Sequence, residues 1–219
     1  VDVRPVPPWL RDLADAVASI QPSPALVPPA GGGRRSAVLV LFAEGPHGPD
    51  LLFIRRSEHL RLHAGQAAFP GGVIDATDAD PVAAALRETA EEVGIHPTDV
   101  DVVGTLPELF IPPTRFRVVP VLAWWKRPHP VAPVDRGEVE AVERISVEEL
   151  ADPAGRLMLH RPNGIILPAF AIRGRLIWGM TAEVVDRLLA LGGWERPWDT
   201  RVVDDVHQRR TDDESPFVG

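Results

Sequence analysis

The chain has 219 residues, 45% of them hydrophobic, enough for one well-cored domain with appended segments. Its formal net charge of −8 argues against a globally basic nucleic-acid binder, and an anionic substrate would require a metal or focused arginines. The absence of cysteine excludes disulfides, zinc–thiolate sites, iron–sulfur clusters and cysteine nucleophiles.

At the N-terminal end, "PWLRDLADAVASI" (8–20) repeats Trp9, Leu10, Leu13, Val17 and Ile20 at helical spacing behind Pro8. No apolar signal core is present there, and no stretch reaches the ~18 apolar residues of a membrane helix. A cytoplasmic protein with no membrane partner is expected. "QPSPALVPPAGGGRR" (21–35) reads as a linker, so the globular domain is expected from residue 36.

"SAVLVLF" (36–42) and "LLFIRR" (51–56), separated by turn-rich "AEGPHGPD", predict a hairpin. "QAAFPGG" (66–72) predicts a short strand ending in a tight turn. "PVAAALRETAEEVG" (81–94) predicts a helix capped by Asp80, with Pro81 first and Gly94 at its end. Strands follow over 100–109 and 116–125, joined by "FIPPTR", then a loop over 127–137. Residues 138–150 predict a strand, then a short helix capped by Ser146. "GIILPAFAIRG" and "RLIWGM" predict a second hairpin, and 181–193 a helix capped by Thr181 and ended by Gly192. The charged tail 200–219 is expected to be mobile or draped on a partner. This mixture of strands, hairpins and helices predicts a mixed sheet covered by helices.

The helix over 81–94 carries the chemistry. At 100° per residue, Glu91 lies about 60° to one side of Glu88 and Glu92 about 40° to the other. The three carboxylates share one face, which Ala84 joins, and Ala83, Ala85, Leu86, Ala90 and Val93 are left to pack on a sheet. Like charges at i,i+4 destabilise a helix by roughly 0.2–0.5 kcal/mol per pair, and anions are disfavoured in its last turns. A solvated acidic face fits this pattern as well as a cation site does. The preceding "FPGGVIDATDAD" favours the cation. Gly71 and Gly72 permit close backbone approach, and Asp75, Asp78 and Asp80 follow. Hard oxygen ligands at this density suit Mg2+ or Mn2+.

Residues 71–95, "GGVIDATDADPVAAALRETAEEVGI", resemble the Nudix box, G-x5-E-x7-R-E-U-x-E-E-x-G-U, with Arg87, Glu88, Glu91, Glu92, Gly94 and Ile95 in register. Ala79 stands where the pattern has Glu, flanked by Asp78 and Asp80. Thr89 stands at an aliphatic position, and the second glycine lies one residue further away than the general spacing. Upstream, "LFIRRSEHLRLHAGQAAFPGG" (52–72) resembles the added signature of the coenzyme A pyrophosphatases in that family, through Arg56, Ser57, Leu60, Arg61, His63, Gly65, Gln66, Phe69 and Pro70. "WGMTAEVVDRLL" resembles their C-terminal segment.

The resemblance implies an α/β fold, an α/β/α sandwich with a mixed central sheet. The resemblance covers about residues 36–192; with the segments read from the chain itself, a hydrolase domain is expected over 36–195, an N-terminal helix and linker over 1–35 and a polar tail over 196–219. The implied reaction is hydrolysis of coenzyme A to 3′,5′-ADP and 4′-phosphopantetheine. Glu88, Glu92 and Glu91 become metal ligands, and Arg87 orients a glutamate. Relatives carry a further glutamate outside the box. Glu138 is the first choice, with Glu140, Glu143 and Glu108 as alternatives. Arg56, Arg61, His63, Gln66, Gly71 and Gly72 are the expected substrate contacts. Arg55, Arg115 and Arg117 are further phosphate candidates, and Trp124 or Trp125 an adenine platform or core. The partner is a small molecule, with a homodimer kept as an option. The competing readings are a Nudix hydrolase of another nucleoside diphosphate (damaged nucleotide, NADH, ADP-ribose) and a non-catalytic ligand-binding module.

Overall fold

In β1 (Arg34–Gly45) residues 37–43 are all buried, but they feed two different cores. Val38, Val40 and Phe42 enter one, and Ala37, Leu39, Leu41 and Ala43 the other. Such an unbroken apolar run marks a strand covered on both faces. The computed structural model describes residues 3–19, 27, 32–60, 63–112, 114–160 and 166–201, and the backbone of 203–205.

β1 turns into β2 (Gly48–Arg56) with Gly45 opposite Gly48, so the expected hairpin forms with a tighter turn than its eight-residue connection implied. β3 (Ala67–Ala68) and β4 (Gly71–Val73) follow, pairing with β2 and β1. β5 (Val100–Thr105), β6 (Leu109–Ile111) and β7 (Phe116–Trp125) come after the box helix α2 (Pro81–Val93). β6 takes up residues expected in the loop before 116. β8 (Val139–Ser146) pairs with β2 and runs into α3 (Val147–Leu150), whose first turn Ser146 caps. The order β3-β2-β1-β7-β5 is extended by β8 on β2, β4 on β1 and β6 on β7. β1 and β7 are parallel and the other pairs antiparallel, which makes the sheet mixed.

α2 covers one face through Ala84, Ala85 and Val93. The other face is covered by α1 (Pro8–Ala18), through Leu10, Leu13 and Val17, and by α4 (Met180–Leu191), through Val184, Val185, Leu188 and Leu189. This is the α/β/α arrangement. α1, which the sequence puts ahead of the domain, therefore shares a core with Phe42 and Trp124. Trp124 and Trp125 are fully buried, one in each core, so neither serves as an adenine platform.

A second sheet has the order β11-β10-β9-β12: β9 (Arg156–His160), β10 (Ile166–Ile172), β11 (Arg175–Ile177) and β12 (Val203–Asp205). The expected hairpin of β10 and β11 turns on Arg173 and Gly174, both at positive φ, as a two-residue turn of matching twist requires. β9 was not among the expected elements; its five residues carry no turn signal that separates them from a loop. Part of the tail is ordered, since 203–205 pair in parallel with β9. Residue 202 and residues 206–219 lie outside the described residues. Thr181 does not cap α4: Gly179 is the cap residue, and Thr181 is buried inside the helix. Among the described residues no helix is long and apolar enough to cross a membrane.

Leu10 is 0% exposed, so Leu10→Ala leaves a cavity between α1 and the sheet. A loss of roughly 2–5 kcal/mol is expected, read as a lower denaturant midpoint at unchanged slope.

Candidate active site

β4 reaches α2 only because it begins with two glycines. Gly71 sits at φ 148°, and a Cβ there would lie 2.3 Å from the Ala37 carbonyl oxygen. A Cβ on Gly72 would lie 2.4 Å from the carboxyl carbon of Glu88. Without those methyls, the Gly71 N–H donates to Glu92 Oε2 at 2.9 Å. α2 itself forms as its sequence dictates: Asp80 Oδ1 accepts the Ala83 N–H, Pro81 opens the first turn, and Gly94 closes the helix at φ 75°.

Arg87 is the hub. Its Nε donates to Asp78 Oδ1 at 3.0 Å and Nη2 to Asp78 Oδ2 at 2.9 Å. Nη2 also donates to the Val73 carbonyl at 3.1 Å, and Nη1 to Glu88 and Glu91 at 3.0 and 3.2 Å. All five guanidinium donors are used. The Ala79 anomaly is thereby explained. Asp78, one residue earlier, grips Arg87 with both oxygens, while Asp80 is occupied as the helix cap. The bond from Arg87 holds the Asp78 carboxyl below its ordinary range. The sequence flagged both aspartates as neighbours of the gap but held no signal for which one folds back.

The carboxylate face is not turned to solvent as a whole. The helix packs through Ala84, Ala85, Thr89, Glu92 and Val93, whereas Ala83 and Ala90 are only half-buried. Thr89 tolerates this because its hydroxyl donates to the Ala85 carbonyl at 2.7 Å. The three glutamates therefore have different surroundings. Glu91 is exposed, Glu88 half-buried, and Glu92 only 2% exposed. Burial pushes the Glu92 carboxyl up to about 8, against the Gly71 N–H and the Arg56 charge, which act the other way. Burial also raises Glu88, with Arg87 opposing.

Among the described residues, Glu92 Oε1 is buried with no hydrogen-bond partner. An orphaned hard oxygen beside Glu88 is the donor chemistry a divalent cation needs, so these residues fit one. Among the described residues, no three His, Asp or Glu side chains stand ready as a complete cage.

The upstream segment folds against this face. Arg56 lies close enough for its charge to act on Glu92, and its Nε is also buried without a partner. His63, at φ 58°, gives its Nδ1 proton to Gln66 Oε1 at 2.9 Å, and the Gln66 and Arg56 backbones close the loop. Among the described residues, His63 Nε2 and the Gln66 amide nitrogen make no hydrogen bond. Arg61 lies outside the described residues.

Of the four glutamates weighed outside the box, three are in ion pairs: Glu140 with Arg55, Glu143 with Arg175 and Glu108 with Arg117. Those pairs also engage Arg55 and Arg117. Glu138 alone of the four has no ion pair among the described residues, and its charge bears on both Glu88 and Glu92.

The sequence profile described as NUDIX domain matches residues 33–167. A Cronobacter sakazakii protein named "Uncharacterized Nudix hydrolase NudL" is 42% identical over 176 residues, 75% of this chain and 85% of the relative. Among solved structures, a Nudix hydrolase from M. smegmatis, RenU, superposes with a TM-score of 0.53 at 20% identity, covering 81% of this chain and 99% of that one. A NUDIX hydrolase from Alicyclobacillus acidocaldarius gives a TM-score of 0.51 at 19% identity, covering 74% and 93%. At these identities the two structures share the fold.

Two predictions follow from the geometry. In Gly72→Ala the new methyl collides with the end of a flexible side chain, so Glu88 is displaced while the backbone is spared. Turnover is expected to fall at least about tenfold, a change of ~1.4 kcal/mol, with the melting temperature nearly unchanged. Gly71→Ala meets backbone instead and is expected to lower the melting temperature.

The second concerns Glu92. Its folded carboxyl titrates near 8 against an ordinary 4.5. Between these values the unfolded chain releases a proton that the folded chain keeps, so stability falls as pH rises through that window, by at most about 1.4 kcal/mol per pH unit. In protein stripped of divalent cations, Glu92→Gln is expected to raise the melting temperature at pH 8 and leave it unchanged at pH 4.

Proposed function

The chain belongs to the Nudix family, and from that premise we propose that it is a hydrolase of coenzyme A or acyl-CoA. It would cleave the diphosphate to give 3′,5′-ADP and (acyl-)4′-phosphopantetheine. One observation carries the substrate reading. Arg56, from the upstream segment that resembles the coenzyme A pyrophosphatases, stands beside Glu92 of the box, and each has a buried polar atom without a partner. A guanidinium and a carboxyl group left unsatisfied side by side suit a ligand that brings both an anion and a cation, such as a metal-bound diphosphate.

Glu88 and Glu92 would hold the cation, Mg2+ or Mn2+, with Glu91 in the same turn of helix. Bound there, it offsets the charge of the diphosphate and lowers the pKa of a bound water. The chain's own residues do the rest. Arg87 orients Glu88 and Glu91 and is not free for substrate. Gly71 and Gly72 keep the floor of the site free of side chains, and the Gly71 N–H fixes the direction of Glu92. Arg56 donates to a phosphate oxygen. Glu138 would take the proton from the attacking water as the phosphoric anhydride P–O bond breaks, a role supported by its charge acting on Glu88 and Glu92. His63 and Gln66 shape the loop that carries Arg56, and their free nitrogens face a ligand role. Arg61 completes the set of substrate contacts on the strength of the resemblance.

Incubation of the protein with coenzyme A and Mn2+, with the products weighed by mass spectrometry, is expected to yield 3′,5′-ADP and 4′-phosphopantetheine. Glu88→Gln is expected to lower that turnover at least about a hundredfold, ~2.7 kcal/mol. If ADP-ribose, NADH or a damaged nucleotide is cleaved faster than coenzyme A, the substrate assignment is wrong. If no diphosphate is cleaved, the binding-module reading replaces it.

A further inference from the structure

The turn that presents Glu138 lies in solvent, yet it is tied down by hydrogen bonds on three sides. Residues 134–138 are all exposed, so burial of side chains does little to hold them. On one side the Val134 N–H donates to the Glu92 carbonyl at 2.9 Å, hanging the turn from the last turn of the box helix. Within the turn, the Asp135 carbonyl accepts the Glu138 N–H at 3.2 Å and the Val139 N–H at 2.8 Å. The Asp135 carboxylate accepts the Gly137 N–H at 2.8 Å. On the far side the Ser57 N–H donates to the Glu138 carbonyl at 2.8 Å, joining the turn to the upstream segment.

The strand that follows is adjusted to this position. Pairing of β2 with β8 shifts register between Arg55 and Arg56: Arg55 faces Ala141, whereas Arg56 faces Val139. Glu140 is thus the extra residue of a bulge, a device that re-aims the side chains near it. It is fixed by Arg55 at 3.0 Å, and Val139 is fully buried beneath. The backbone on both sides of Glu138 is therefore anchored by hydrogen bonds. Within the turn, Asp135 supplies the one side-chain bond among the described contacts.

We propose that Asp135 is a positioning residue: its carboxylate closes the 135–137 turn and so holds Glu138 at a fixed reach from Glu88 and Glu92. The inference rests on the diphosphatase reading above, with Glu138 as proton acceptor. Asparagine keeps the acceptor oxygen and alanine removes it, which separates the hydrogen bond from the charge.

The test is a double-mutant cycle of Asp135→Ala and Glu138→Gln on the full chain, with coenzyme A and Mn2+, alongside Asp135→Asn. Asp135→Ala is expected to lower kcat about tenfold with KM within about twofold, and Asp135→Asn to restore most of it. In the Glu138→Gln background, Asp135→Ala is expected to lower kcat less than about twofold further. An equal loss in both backgrounds, a loss confined to KM, or no rescue by asparagine overturns the proposal. If Glu138→Gln turns over like wild type, the proposal fails while the coenzyme A reading stands. If wild type ignores coenzyme A, that reading fails, and the cycle is read on whichever diphosphate is cleaved. Amide hydrogen exchange over 137–139, measured without substrate, gives a readout independent of activity. It is expected to speed up in Asp135→Ala and not in Asp135→Asn, and unchanged exchange overturns the proposal.

Discussion

One guanidinium organises the site. Arg87 saturates its five donors on Asp78, Val73, Glu88 and Glu91, binding the box loop, the β4 backbone and the helix into one body. A lysine offers a point charge and three donors, and would reach only part of this set. Three carboxylates near one another repel, and the local helix energetics disfavour them. Arg87 offsets that repulsion through Glu88 Oε1 and Glu91 Oε2, and its bonds leave Glu88 Oε2 and Glu91 Oε1 unengaged. The same fork explains how the chain does without a glutamate at Ala79. A bidentate acceptor has to arrive in the plane of the guanidinium, and Asp78 does so from one residue earlier, with a shorter side chain.

The glycines and the sheet serve this arrangement. β1 is buried on both faces, so the backbone it offers to β4 is rigid. Gly71 and Gly72 then allow β4 to run between that strand and the carboxylates of α2 at distances no Cβ permits. Rigid elements therefore fix Glu88 and Glu92, while Arg56 and Glu138 come from the upstream segment and the 134–138 turn. Those two pieces meet each other at Ser57 and Glu138. The site is two well-supported walls, one helical and one made of linked loops.

Much of this was legible in the sequence wherever the cause is local. Asp80, Pro81 and Gly94 bound α2 correctly because caps act within one turn. The double glycine predicts a tight turn ending a strand over 66–72; instead β3 stops at Ala68 and the two glycines open β4, which pairs with β1, so only the helix and the acidic loop before it stand as expected. What was not legible depends on contacts across the chain. A helical wheel groups Glu88, Glu91 and Glu92 on one face, but only the position of the sheet decides that Glu92 is inside and Glu91 outside. Thr181 has the composition of a cap, yet Gly179 takes that place and tertiary packing buries Thr181 in the helix. The two tryptophans at 124 and 125 point to opposite faces, as strand periodicity requires, but that both faces are covered follows from α1, α2 and α4 together.

The burial of Glu92 has a thermodynamic consequence for the molecule as a whole. Its Oε1 has no partner within the described protein, so the folded chain carries an unfavourable term that a cation held as proposed would relieve and the unfolded chain never had. Occupancy and folding are then linked equilibria, and stability rises with the logarithm of the free cation concentration once the site begins to fill. Under that linkage the fold reports on its own ligand. The ion that raises the unfolding midpoint most, at a given concentration, is the one this site selects.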